Sequence, residues 1–136
     1  MKRILVFGAG LVAPPLVEYL LAVPDFSVTV AALSESEANK LVRGHPRGHA
    51  VAVDVQDASA VSRMVAEADV VVSLLPAPLT PLIARQVVEH RKALFNTSYV
   101  SPEMQALAEA ARARGVLMMC ELGLDPGIDH MSAVKV

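Results

Sequence analysis

The sequence predicts an α/β domain built on a doubly wound, mostly parallel six-stranded sheet. Three observations point there. Short β-branched or apolar runs alternate with longer segments of helical period, and a glycine-rich turn follows the first run. The 136 residues, 54% of them hydrophobic, suffice for one domain with a sizeable core and are too few for two. Such alternation is the pattern of βαβ units, in which helices cover both faces of a parallel sheet.

The first strand is expected over Arg3 to Phe7 and the first helix over Val12 to Ala22. Pro14 and Pro15 test that helix, because neither carries an N–H. Both fall in its first turn, where the donors lack intrahelical partners anyway. The stretch from Lys2-Arg3 to Val23 also resembles the start of a secretory signal or a membrane span. Gly8, Gly10, Pro14-Pro15 and Glu18 interrupt it, and no small-residue cleavage site follows, so a cytoplasmic globular segment is expected.

The second strand is read at Val28 to Ala32 and the second helix at Ser36 to Val42. His45-Pro46-Arg47-Gly48-His49 then reads as a solvated surface turn; no Cys or acidic ligand stands near its two histidines, and no metal site is expected. Further strands follow at Ala50 to Val53, Val70 to Leu74, Ala93 to Asn96 and Val116 to Met119. The intervening helices fall at Ala58 to Glu67, Pro81 to His90 and Pro102 to Arg114, each opened by a cap-type residue or proline, with Gly115 ending the last. With right-handed crossovers these elements make a Rossmann sheet, whose ligand lies beyond the carboxyl ends of the strands.

A formal net charge of −2 and scattered Lys and Arg leave no electrostatic footprint for nucleic acid or an anionic membrane. A small-molecule partner fits better. Cys120, the sole cysteine, excludes an internal disulfide and suits a reducing compartment; within its apolar run it is expected to be buried and inert.

After the first strand, Gly8-Ala9-Gly10-Leu11-Val12-Ala13 is a G-x-G-x-x-A turn in the position a dinucleotide fingerprint requires. The first glycine permits the turn, the second lets pyrophosphate approach the backbone, and Ala13 keeps helix and strand close. The helix N-terminus offers N–H groups and a favourable dipole to the phosphates. A strand-turn-helix with small residues can also be purely structural. The second strand ends Ala31-Ala32-Leu33-Ser34, without the acidic residue of an NAD enzyme or the arginine of an NADP enzyme. Glu35 and Glu37 serve either as first-turn helix charges or as ribose contacts, so the choice of NADP or NAD stays open here. Asp54 either accepts from an adenine amino group or caps the segment leading to Asp57. Leu74-Leu75-Pro76 either flanks a ribose or is plain core.

Two later segments concentrate hydroxyls, carboxylates and a histidine at strand ends: residues 96–102 and residues 121–131. Within them, Thr97-Ser98-Tyr99-Val100-Ser101-Pro102 and Gly123-Leu124-Asp125-Pro126-Gly127-Ile128-Asp129-His130-Met131, taken with Gly8-x-Gly10, resemble the saccharopine dehydrogenase (saccharopine reductase) family. The similarity runs along essentially the whole chain, and the last motif is long and rarely met elsewhere. The resemblance implies an NADP-dependent, L-glutamate-forming enzyme of lysine metabolism that interconverts saccharopine with glutamate and 2-aminoadipate 6-semialdehyde.

Carried over by position, Gly8, Gly10, Leu11, Val12 and Ala13 hold the pyrophosphate turn, Ala32, Leu33 and Ser34 the adenosine end, and Asp54 and Val55 the adenine. Leu75, Thr97, Ser98, Leu124, Asp125, Pro126, Gly127, Ile128, Asp129, His130 and Met131 line the rest of the cofactor. Tyr99, Val100 and Asp125 face the amino-acid or imine substrate, with Tyr99 or Asp125 assisting proton transfer; His130 is a further titratable candidate or a structural residue.

Three departures from the family stand out. Leu33 occupies the place of an arginine suited to a 2′-phosphate, Pro14 replaces a commonly basic residue, and the chain stops at Lys135-Val136 where a substrate domain would follow. The chain therefore reads as a truncated or excised nucleotide-binding domain covering residues 1–136, which binds without turning over. Its exposed strand-end surface around Tyr99 and Leu124 leaves a homodimer open. The alternative is a non-catalytic Rossmann module that senses nucleotides or mediates assembly.

Overall fold

The structure, a computed structural model, describes residues 1–123 and 126–135. The elements run β1 (Lys2–Phe7), α1 (Ala13–Ala22), β2 (Phe26–Ala32), α2 (Glu35–Val42), β3 (Gly48–Ala52), α3 (Ala58–Glu67), β4 (Val70–Ser73), α4 (Thr80–Glu89), β5 (Ala93–Asn96), α5 (Pro102–Ala106), α6 (Ala108–Ala113), β6 (Met118–Met119) and α7 (Ile128–Lys135). The six strands form one parallel sheet in the order β3-β2-β1-β4-β5-β6. This is the doubly wound arrangement the alternation predicts, with the order reversing between β1 and β4.

Both faces of β1 are buried because each packs against a different helical layer. Ile4 and Val6 join Val17 and Leu21 of α1 and Ala38 and Val42 of α2, whereas Leu5 and Phe7 join Val61 and Val65 of α3 and Ile83 and Val87 of α4. Alternating side chains thus feed two cores, which is why the strand reads as a continuous apolar run.

Element bounds differ from expectation where local chemistry overrides periodicity. The helix expected over residues 102–114 is interrupted at Leu107, which stays in the right-handed region at φ −84° and ψ −11° but whose N–H donates to Met104, three residues back, in a tighter turn. Gly115, at φ +66°, ends α6 as expected. The last strand shortens to Met118–Met119, because only Leu94 and Phe95 of β5 stand in register with it. Pro14 and Pro15 are accommodated in the first turn of α1.

The turn at residues 45–49 also needs correction. Arg47 is half-buried, and its guanidinium donates to the carbonyls of Leu21 at 2.7 Å and of Val23 and Phe26 at 2.5 Å. It closes the C-terminal end of α1, a role a cation takes readily beside the carbonyls that a helix leaves unpaired. Gly48 and His49 belong to β3. Among the described residues, no helix is long and apolar enough to cross a membrane.

Candidate dinucleotide site

A cavity of about 670 Å³ opens at the carboxyl ends of β1, β2 and β4. Its floor is set by backbone continuations of the strands. Gly8 N–H donates to the Ala31 carbonyl at 2.9 Å, Leu74 N–H to Phe7 at 2.8 Å, and Val53 N–H to Ala32 at 2.8 Å. The walls come from residues 8–12, from Ala31, Ala32 and Leu33, from residues 53–56, and from Leu74, Leu75, Pro76 and Leu79. Of the side chains lining it, Asp54 and Gln56 are polar and the others apolar. That volume and lining suit a small-molecule or cofactor site.

Gly8 adopts φ +107°, and a Cβ there would stand 3.2 Å from the carbonyl carbon and oxygen of Leu74. Gly10 differs: no atom lies within 4 Å of where its Cβ would be, so it opens onto free space. The first glycine is therefore demanded by the fold, and the second leaves room for something that approaches the backbone. Beyond it, α1 begins with no side-chain cap and no acidic residue in its first turn. An anion placed there meets the positive helix end with no acidic side chain against it, although Pro14 and Pro15 carry no N–H and the Ala13 N–H already donates to the Gly10 carbonyl at 3.2 Å. Ala13 is fully buried at the first position of that helix. Leu11 is 100% and Val12 60% exposed at the cleft mouth, an apolar rim that gains from a ligand covering it.

The end of β2 is built differently. Leu33, 80% exposed, lines the cleft, and Ser34 caps α2 by accepting the Glu37 N–H at 3.3 Å. Glu35 and Glu37 lie in the first turn of α2, and Glu37 pairs with Lys40 at 2.8 Å. Among the described residues lining the cleft there is no Lys, Arg or His. The cavity therefore fits the pyrophosphate and apolar parts of a dinucleotide, but it does not present a cation to a 2′-phosphate.

Asp54 makes the turn contact weighed for it and also faces the cleft. Its Oδ1 accepts the Gln56 N–H at 2.9 Å, shaping the turn into α3, while the residue lines the cleft. The α3 cap is Asp57, whose Oδ1 accepts the Ala60 N–H at 3.0 Å. Opposite, the β4–α4 loop is held by Ser73 and Thr80, buried hydroxyls 3.2 Å apart, and by the Leu79 N–H on the Pro76 carbonyl at 2.9 Å. Ala9, Ala31, Val53, Gln56 and Leu79 line the cleft without having been assigned as cofactor contacts, and Leu74 and Pro76, weighed as ribose flank or plain core, line it too. For most of them the signal was available, since they adjoin strand ends.

The β5 and β6 ends form a second cluster. Asn96, 1% exposed, accepts the Ser98 N–H on Oδ1 at 2.9 Å and donates from Nδ2 to Cys120 Sγ at 3.1 Å. The Glu121 N–H reaches the Ser98 carbonyl and the Leu122 N–H the Asn96 carbonyl, at 3.0 and 3.1 Å. These bonds lace residues 96–98 to residues 120–122. Cys120 is half-buried here rather than fully enclosed, because β6 is an edge strand.

Thr97 lines a separate apolar groove with Phe95, Leu122 and Leu16 of α1, and is not in the lining of the large cleft. Tyr99 and Val100 are about half exposed beyond it. Gly127 sits at φ +138°, where a Cβ would collide with the carbonyl oxygens of Gly123 and Glu121. Ile128 N–H donates to Gly123 at 2.7 Å, and Gly127 N–H to Asp129 Oδ1 at 2.9 Å. Pro126 and Gly127 are buried, Ile128 and Met131 are exposed on α7, and His130 falls within the same helix. Leu124 and Asp125 lie outside the described residues.

The family model described as the saccharopine dehydrogenase NADP binding domain matches residues 4–119. The NADP(+), L-glutamate-forming saccharopine dehydrogenase of Schizosaccharomyces pombe is 40% identical over 135 residues, covering 99% of this chain and 30% of that protein. The alpha-aminoadipic semialdehyde synthase of Arabidopsis thaliana is 35% identical over 153 residues, covering 98% of this chain and 14% of that protein. Among solved structures, apo saccharopine dehydrogenase (L-Glu forming) from Saccharomyces cerevisiae superposes with a TM-score of 0.92 at 37% identity, covering 99% of this chain and 30% of that one. The chain spans less than a third of the length of these relatives.

Proposed function

The chain belongs to the saccharopine dehydrogenase NADP-binding domain family, and on that premise we propose that residues 1–136 form the dinucleotide-binding domain of an oxidoreductase acting on the C–N bond of saccharopine. The products in the oxidative direction are glutamate and 2-aminoadipate 6-semialdehyde. The observation that carries this reading is the cleft at the β1–β4 switch point, where open space over Gly10 meets an uncapped helix N-terminus. A bound NADP or NAD supplies the hydride chemistry. The chain's part is to hold it and to exclude water.

In this proposal Gly8, Gly10, Leu11, Val12 and Ala13 shape the pyrophosphate turn, Ala32, Leu33 and Ser34 the adenosine end, Asp54 and Val55 the adenine pocket, and Leu75 the opposite wall. Thr97, Ser98 and residues 124–131 complete the nicotinamide end. Tyr99, Val100 and Asp125 face the amino-acid substrate, and Tyr99 or Asp125 moves the proton. Support for Thr97, Ser98, Tyr99 and Val100 is their place just after β5, where Asn96 ties Ser98 to Cys120. Further substrate-binding and dimerisation groups come from outside residues 1–136, in line with the share of the relatives that the chain spans. A cytoplasmic location suits the free thiol of Cys120. A homodimer suits the exposed Ile128, Met131 and Val134 of α7, and light scattering across a concentration series tests it.

The test of cofactor binding is thermal unfolding of the chain with and without dinucleotide. Binding to the folded state raises Tm as concentration rises above Kd. No shift with millimolar NADPH or NADH contradicts the proposal.

A further inference from the structure

Resting on the dinucleotide-binding proposal, we infer that Leu33 removes the preference for a 2′-phosphate, so that this chain holds NADH at least as tightly as NADPH. Phosphate recognition of that kind relies on charge-assisted donation, most often from the planar fork of an arginine. At the carboxyl end of β2 the chain presents instead the exposed isobutyl group of Leu33. Among the described residues, the side chains lining the cleft supply no cation, and Asp54 adds a carboxylate.

The α2 N-terminus does not compensate. Ser34 Oγ already accepts the Glu37 N–H at 3.3 Å, and the first turn carries two carboxylates, Glu35 and Glu37. Lys40 reaches back toward this turn but pairs with Glu37 at 2.8 Å. A dianionic phosphate placed there meets like charge and an apolar side chain, whereas a ribose hydroxyl can donate to a carboxylate. The contrast with α1 is internal to the molecule: that helix has no side-chain cap and no acid in its first turn. One helix end thus sets no negative side chain against an anion, and the other is already neutralised by its own residues.

Isothermal titration of the full chain with NADPH and NADH at physiological ionic strength tests this, together with the fragment pair 5′-AMP and 2′,5′-ADP. Those fragments differ only in the 2′-phosphate and read the adenosine end by itself. The expected result is an NADH affinity equal to or above that of NADPH, within about threefold or in favour of NADH, with the same order in the fragment pair. Leu33→Arg is expected to move the ratio toward NADPH by about tenfold or more, in a salt-dependent manner. Wild-type NADPH binding tighter than NADH by about tenfold or more overturns the inference and leaves the cofactor proposal standing. Binding of neither dinucleotide overturns both.

Discussion

The backbone carbonyl of Leu74 lies 3.2 Å from the position a Cβ would occupy on Gly8. β1 and β4 are adjacent parallel strands, and their ends approach closely enough at the switch point that a methyl group on Gly8 would press on the Leu74 backbone. The same turn contains Gly10, with nothing within 4 Å of its own missing Cβ. Two glycines of one motif therefore answer to different demands.

Gly8→Ala and Gly10→Ala separate those demands. Gly8→Ala is expected to cost about 2 kcal/mol or more, from the positive φ and the contact with Leu74 together. Gly10→Ala should leave the urea midpoint nearly unchanged while weakening dinucleotide binding by about tenfold or more, since a methyl group there fills the space over the backbone. Equal losses of stability in the two variants would show that the Gly10 space is structural.

Arg47→Met keeps an apolar stem and removes three donations to the end of α1 and the start of β2. A loss of about 2 kcal/mol is expected in chemical denaturation. The cleft shares no partner with this site, so dinucleotide affinity of the folded variant should stay within about twofold. An unchanged denaturation midpoint would mean that water replaces the guanidinium without cost.

Asn96→Ala unties the β5 and β6 ends. Both its amide groups are used in a buried position, so about 1–3 kcal/mol is expected to be lost. Hydrogen exchange should locate the effect, with the Ser98 amide losing protection more than amides in β1. Uniform loss throughout the sheet would contradict a local clasp.

Asp69 carries an acid-side signature. The Arg3 backbone N–H, 2.8 Å from its Oδ2, holds this carboxyl below the usual carboxylate range, assisted by the Arg3 side chain. A folded-state value below the unfolded one gives stabilisation that is complete above the usual carboxylate range and is lost as pH falls through the lowered value. Asp69→Asn should therefore be less stable than the parent at neutral pH, with the two converging in acid. Curves of urea midpoint against pH that run parallel down the acid limb would rule this out.

Much of this architecture was legible along the chain. α3 and β5 begin and end where capping by Asp57 and the β-rich run Ala93–Asn96 say they should, because short-range chemistry decides those bounds. The break at Leu107 was not legible, since residues 102–114 are helix-forming on both sides of it. Arg47 was read as solvated because nothing near it in sequence shows that Leu21, Val23 and Phe26 turn their carbonyls toward it. The cleft was half legible: Gly8, Gly10, Leu33, Asp54 and Leu75 all line it, while Thr97 lines the neighbouring groove instead.

By itself the sequence determined the alternation of strands and helices, the glycine turn after β1, and the lack of a cation at the end of β2. These are properties of residue type at a given position, and periodicity and turn chemistry act over a few residues. Tertiary structure alone decided which glycine is held by contact and which faces open space, which end of α1 Arg47 closes, and how Asn96 joins two strand ends. Each depends on groups brought together across the sheet by parallel crossovers, whose separations along the chain carry no local signal.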